Sequence, residues 1–173
     1  GNYNSEIGLP LSLFNLETPG NIMSPRAWNG VIKKTKAVIK NGYPYQVVVL
    51  ELGTDKPGDI EHFMRYIKPD IAVITAVSAE HMEFFKTLDA VAKEELVITM
   101  VATKSLYSRG DVNPSYIKKY SRGSLHSFDN NQNADYGFAR TNYQFGKGFR
   151  GTLKLGSGTI DSVSLNIVGE HNV

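Results

Sequence analysis

The chain has 173 residues, of which 41% are hydrophobic and 21% charged, a composition typical of a globular protein with a sizeable core. Its formal charge of +2 comes from scattered basic and acidic residues, which argues against nucleic acid as the main partner. The absence of cysteine excludes disulfides and thiolate zinc sites. No apolar stretch approaches the roughly 18 residues that span a bilayer, so we expect a cytoplasmic protein without a membrane span.

The first half of the chain predicts helices alternating with buried strands. Residues 25–42 predict a helix with one apolar face, which includes Trp28, and a lysine-rich opposite face. The β-branched run Tyr45–Gly53, "YQVVVLELG", is typical of a parallel strand covered on both faces. The next stretch, "KPGDIEHFMRYIKPD", predicts a helix that ends at Pro69, and a second buried strand from Asp70 completes a β-α-β unit.

In the second half of the chain the apolar residues follow a different spacing. A helix over about Thr87–Glu95 and a third apolar strand, "LVITMVA", are predicted first, and "PSYIKKY" after Asn113 predicts a short helix. The segments "DYGFARTNYQF", "RGTLKLG" and "TIDSVSLNIVG" alternate and are separated by glycine turns, as antiparallel strands are. We therefore predict one α/β domain, with a mostly parallel sheet flanked by helices in residues 1–112 and a smaller, mainly antiparallel sheet in residues 113–173.

Two ionisable residues occupy positions where parallel sheets bind ligands, at or just past the carboxyl ends of strands. Glu51 lies near the end of the first predicted strand, and His81 lies just past the second. Neighbouring strands are about 4.8 Å apart, so the two side chains could share a metal ion or a phosphate. A structural role stays open, in which Glu51 pairs with a lysine and His81 caps a loop. No GxxxxGK[ST] phosphate loop occurs in the sequence.

Four motifs, in order along nearly the whole chain, resemble the Mur ligase family, particularly its MurF type. The motifs are "GNYNSEIGLPLSLF" (1–14), "ELGTDKPGDI" (51–60), "PDIAVITAVSAEHMEFF" (69–85) and "VGEHNV" (168–173). They are similar to the family patterns GNxNNEIGxPLTLL, EMGxxxPGEI, PDxAVITNVGxAHLExF and xGRHNVxN. The resemblance implies a P-loop-type fold that here lacks its first strand and phosphate loop. We therefore expect the chain to be a fragment that begins in the middle of a protein and is inactive when isolated.

The resemblance also implies a chemistry, namely ATP-dependent ligation of an amine to a carboxylate through an acyl phosphate. The MurF type adds D-alanyl-D-alanine to a UDP-muramoyl-tripeptide in peptidoglycan synthesis, with ATP and magnesium or manganese as cofactors. By position, Glu51 matches the magnesium-binding glutamate and His81 the histidine that holds a second metal ion. Asn2 and Asn4 match the asparagines of the loop beside the phosphates and the muramoyl substrate, and Asn172 matches the asparagine near the adenine.

Two positions depart from the family pattern. Glu95 stands where the family usually has a carbamylated lysine that binds metal, and Ala76 stands where it has asparagine. The glutamate keeps the negative oxygens but reaches about 3.5 Å less far. Two alternatives therefore stay open beside a MurF-like ligase: a binding or scaffold domain that has lost catalysis, and a Mur-type ligase for a different acceptor.

Overall fold

The computed structural model describes residues 4–130 and 133–167, which fall into two compact units, residues 1–54 and 55–173. In the first unit the described residues form two helices, α1 (Gly8–Leu13) and α2 (Pro25–Asn41). The predicted helix in residues 25–42 is thus confirmed. It begins where the Ser24 side chain accepts a hydrogen bond from the Ala27 N–H at 3.3 Å, which satisfies a donor that the first turn leaves free.

The predicted strand Tyr45–Gly53 is wrong, since none of these residues lies in a strand. Val47 is 79% exposed and Val49 is 91% exposed. A β-branched run becomes a strand only when neighbouring strands take its backbone hydrogen bonds and its side chains are covered. Among residues 4–54 there is no strand that could provide this pairing.

The second unit is built on one six-stranded sheet, in which the strands follow each other in chain order. The first four strands are parallel and the last two pairs are antiparallel. The α/β class is confirmed, but the antiparallel strands extend the parallel sheet and do not form a second one. The elements are α3 (Asp59–Phe63), β1 (Ile71–Ile74), α4 (Met82–Phe85), α5 (Leu88–Leu96), β2 (Lys104–Ser108), α6 (Pro114–Tyr120), β3 (Ser124–Asp129), β4 (Tyr136–Gln144), β5 (Gly148–Leu155) and β6 (Gly158–Leu165).

Several predicted elements of this unit are confirmed, namely strand β1, helices α5 and α6, and the three antiparallel strands β4 to β6. The strand predicted for "LVITMVA" is wrong, because Val97–Met100 continues α5 as one turn of 3-10 helix. The helix predicted to end at Pro69 is shorter and ends at Phe63. A short buried apolar run has the same composition in a strand and in a helix, so its period alone could not distinguish them.

Helix α5 is central to the packing of the second unit, where it contacts α3, α4 and α6. Its side chains Val91, Ala92 and Leu96 are almost fully buried. Strand β1 alternates, with Ala72 and Ile74 buried while Ile71 and Val73 are each 55% exposed, so the predicted burial of this strand is confirmed for one face only. No helix among the described residues is both long enough and apolar enough to cross a membrane.

The strands β4 and β5 approach closely at Gly151, and we expect this glycine to be essential for their pairing. A Cβ atom there would lie 2.3 Å from the Ala139 carbonyl oxygen and 2.8 Å from the Phe138 ring. Gly151→Ala should therefore lower the free energy of unfolding by about 1–3 kcal/mol, measured by urea denaturation. Gly110→Ala is the matched control, because nothing lies within 4 Å of its added Cβ. Equal stabilities of the two variants would contradict this prediction.

Candidate functional site

The turn before α3 is fixed by carboxylates that accept its backbone N–H groups. The Asp59 Oδ2 atom accepts hydrogen bonds from the N–H of Asp55 at 3.0 Å and of Lys56 at 3.1 Å. These bonds span only three or four residues and close the turn locally. Gly58 adopts φ +96, which only glycine enters without strain, so the turn can lead directly into the helix.

A second carboxylate, that of Glu94 on α5, holds the same turn from a distance in the sequence. Its two oxygens accept hydrogen bonds from the N–H groups of Gly58 and Ile60, both at 2.8 Å. Glu94 is only 7% exposed, so these bonds offset the loss of its hydration. The sequence analysis missed this residue, and its only signal was a pair of adjacent glutamates in the apolar helix "VAKEEL".

His81 lies in the loop that follows β1, as predicted, and directly precedes α4. Its backbone has φ 49 and ψ 37, a left-handed conformation that is unusual for a residue other than glycine. The His81 carbonyl oxygen accepts hydrogen bonds from the N–H groups of Phe84 at 2.9 Å and Phe85 at 3.2 Å. The Nε2 atom of its ring lies 3.6 Å from the Asp55 Oδ1 atom. Asp55, which the sequence analysis did not select, is thus the acidic partner of His81.

Glu95, next to Glu94 on α5, is half-buried and has an unusual acidity. Burial raises the pKa of the Glu95 carboxyl group to about 7, and the nearby charges of Glu80 and Glu94 act in the same direction. The charge of His81 has the opposite, smaller effect on this pKa. The structure therefore brings His81 and Glu95, two residues selected from the sequence, near each other in the second unit. Together with Asp55 and Glu80 they form a group that we call the loop cluster, in which Glu95 lies on α5 and the others lie in loops.

The other residues selected from the sequence belong to the first unit or lie outside the described residues. Asn4 and Glu51 belong to the first unit. The Gly53 N–H donates a hydrogen bond to the Asn4 carbonyl oxygen at 3.3 Å, and a Cβ atom on Gly53 would lie 2.6 Å from the Asn4 side-chain nitrogen. Asn4 is thus packed against the segment that carries Glu51, which is itself exposed. Asn2 and Asn172 lie outside the described residues.

The carboxylate groups of this chain are of the ligand type that magnesium and manganese prefer, whereas imidazole is a ligand more typical of transition metals. In the described parts, residues 4–130 and 133–167, no three histidine or acidic side chains are grouped closely enough to hold a metal ion. His81 and Asp55 are therefore a pair of potential ligands, and Glu95 is a neighbouring carboxyl group, without a complete set of ligands around one point.

Comparisons of the whole sequence give one family. A family model described as "Mur ligase middle domain" matches residues 1–173. A UDP-N-acetylmuramoyl-tripeptide--D-alanyl-D-alanine ligase from Buchnera aphidicola is 26% identical over 99% of this chain and 32% of its own length. The Haemophilus influenzae protein of the same name is 24% identical over 100% of this chain and 32% of its own length. The chain thus spans about a third of the length of these relatives.

Two solved structures resemble the fold. MurF ligase from Thermotoga maritima in complex with ADP has a TM-score of 0.55 and 22% sequence identity, and the match covers 90% of this chain and 36% of that one. The apo form of FPGS from L. casei has a TM-score of 0.55 and 16% identity, with 83% of this chain and 39% of that one covered. At these identities the two structures support the fold.

The raised pKa of Glu95 predicts a stability that depends on pH. The folded state keeps the Glu95 proton up to about pH 7, whereas the unfolded state releases it near 4.5. The free energy of unfolding should therefore fall as pH rises from about 4.5 to about 7, because the charged form is disfavoured by folding. Glu95→Gln removes this loss, so the variant should be more stable than the wild type at pH 8 by about 1–3 kcal/mol.

Urea denaturation of the wild type and of Glu95→Gln at pH 4, 6 and 8 measures this difference. At pH 4 the carboxyl group is mostly protonated in both states, so the two proteins should have similar stabilities there, which provides an internal control. If the curves of stability against pH were parallel for the wild type and Glu95→Gln, the pKa of Glu95 would not be raised by folding.

Proposed function

Since the chain belongs to the Mur ligase family, as its middle domain, we propose that it forms the nucleotide-binding part of an ATP-dependent amide ligase. The observation that supports this most strongly is the family match over every residue of the chain. The loop cluster around His81 supports it further, because it follows the carboxyl end of the parallel strand β1, where open α/β sheets bind ligands.

The proposed reaction has two steps. The terminal phosphoryl group of ATP is transferred to a substrate carboxylate, which gives an acyl phosphate and ADP. An amine then attacks the acyl carbon, the bond to phosphate breaks, and the amide, inorganic phosphate and a proton are released. A magnesium ion, when bound, would neutralise charge on the phosphate oxygens.

The residues of this chain would bind and orient the reactants. Glu51 would hold the magnesium ion beside the phosphates, and His81 would bind a second metal ion with the carboxylate of Asp55 or Glu95. Asn4 would line the phosphate and substrate side of the first unit, near the segment that carries Glu51. Asn2 and Asn172 would contact the substrate and the adenine. These roles follow the positions of the family motifs and stay predictions.

We further propose that the acceptor pair is the one named for the curated relatives. The substrates would then be a UDP-muramoyl-tripeptide and D-alanyl-D-alanine, which places the reaction in peptidoglycan precursor synthesis in the cytoplasm. The relatives matched over the whole chain both carry this name, which favours this pair over another amine. A ligase for a different acceptor would have the same chemistry at the acyl phosphate.

A non-catalytic binding or scaffold role is the second candidate. It is favoured by Glu95 in place of the family lysine and by the incomplete grouping of metal ligands in the described parts of the chain. Such a domain would still bind nucleotide or precursor, but it would not release phosphate. The two candidates therefore differ in turnover and not in binding.

The decisive measurement is phosphate release by the protein that the complete reading frame of this chain encodes. The assay contains ATP, magnesium, UDP-muramoyl-tripeptide and D-alanyl-D-alanine. We expect turnover that requires all four, and Glu51→Gln should lower kcat by at least about 100-fold because the side chain loses its negative charge. Glu17→Gln, an exposed glutamate of the same unit, is the matched control and should keep wild-type turnover.

Three outcomes distinguish the candidates. Binding of ATP without any phosphate release would favour the scaffold role. Phosphate release with another amine, but not with D-alanyl-D-alanine, would support a ligase for a different acceptor. Full activity of Glu51→Gln would show that the proposed magnesium ligand is wrong.

A further inference from the structure

We propose that Glu94 is a positioning residue for His81, and that it acts by holding the turn that places the Asp55 carboxylate against the histidine ring. The inference rests on the proposed function in one respect, since His81 has a role in the reaction only if that function is correct. The mechanical coupling itself is a property of the folded chain and can be measured without nucleotide or metal.

The first step of the argument is the arrangement of hydrogen bonds on the turn. The N–H groups of Asp55 and Lys56 are bonded to Asp59, three or four residues away. Bonds of this range fix the shape of the turn but do not connect it to the rest of the unit. The Glu94 carboxylate connects it, because its bonds to Gly58 and Ile60 join residues 36 and 34 positions apart in the chain.

The second step is the stiffness of the segment between the anchor and Asp55. Gly58, which Glu94 holds, is three residues from Asp55, and Pro57 lies between them with its backbone angle φ fixed by its ring. The hydrogen bonds to Asp59 restrain the backbone of the other two residues of the segment, Asp55 and Lys56. A displacement of Gly58 would therefore be passed to Asp55 and would not be absorbed within the turn.

The third step is the contact at the end of this segment. The Asp55 Oδ1 atom lies 3.6 Å from the Nε2 atom of His81, and the Asp55 side chain is 84% exposed. So exposed a carboxylate is held at this distance by its backbone and not by surrounding side chains. Release of the turn from α5 should consequently separate Asp55 from His81, even though neither residue touches Glu94 through a hydrogen bond in the described structure.

A double-mutant cycle read at the His81 ring tests the coupling. The ring signals of His81 are recorded by NMR at pH 8 in the wild type, Glu94→Gln, Asp55→Asn and the double variant. Glutamine has the shape of glutamate but only one acceptor oxygen, so it cannot accept both N–H groups on separate oxygens. Glu61→Gln, an exposed glutamate on α3, is the matched control and should leave the His81 signals unchanged.

We expect Glu94→Gln to move the His81 signals in the direction that Asp55→Asn moves them, by at least half as much. In the Asp55→Asn background the same Glu94 substitution should cause no further movement, because its effect passes through Asp55. Equal movement in both backgrounds would mean that Glu94 acts directly on the histidine as a charge. Unchanged His81 signals in folded Glu94→Gln would also overturn the proposal.

Hydrogen exchange in the wild type covers the case in which Glu94→Gln does not fold. If Glu94 holds the turn, the amides of Gly58 and Ile60 should exchange at rates within about tenfold of the slow amides of α5. Exchange of Gly58 at the rate of an unprotected loop amide would overturn the proposal. The proposed function is tested by a different measurement. If the coupling is observed but the protein has no ligase turnover, Glu94 still positions His81, but this positioning has no role in catalysis.

Discussion

The geometry of the loop cluster in the second unit depends on the hydrogen bonds that the buried carboxylate of Glu94 accepts. A charge at 7% exposure is tolerated only where hydrogen bonds replace its water, and here two backbone N–H groups at 2.8 Å do so. These two groups belong to the first turn of α3, whose donors have no partner within so short a helix. One side chain thus satisfies two donors, of which the N–H of Ile60 is buried, and connects α3 to the central helix α5.

The sequence predicted those elements whose local pattern and tertiary environment agree. Helix α2 has a serine cap, a proline in its first turn and an apolar face, and the strands β4 to β6 alternate between glycine turns, so each was predictable from its own residues. The run Val47–Val49 has an equally clear strand pattern, yet it is exposed and unpaired, because pairing requires a partner that the run itself cannot supply. The polar strand β2, with Lys104 and Ser105, gave no apolar signal and was missed.

The candidate site was predicted in part, for a similar reason. His81 could be selected because it lies in one of the four motifs, and Glu95 because of its position after that motif. The two residues are close enough in the structure for the histidine to influence the pKa of the glutamate. Asp55 lies in a motif at a position that the family pattern leaves open, and Glu94 lies outside the motifs, so neither had a comparable signal. Their importance arises from contacts with residues that are 26 to 36 positions away, and such contacts exist only after α3, α4 and α5 have packed together.

The electrostatic environment of Glu95 affects how the cluster could work. Its carboxyl group is partly buried on α5 and lies in the field of Glu80 and Glu94. The burial of Glu95, and after it the repulsion from Glu80 and Glu94, raise the pKa of the Glu95 carboxyl group to about 7 and so favour its protonated form up to about that pH. If a divalent cation binds beside His81, it would replace that proton and relieve the repulsion, so binding would release a proton and would strengthen as the pH rises. Repulsion among carboxylates does not stabilise the fold, so a purely structural role does not explain it. Release of a proton when a cation binds would therefore distinguish a site that binds metal from one that has lost this function.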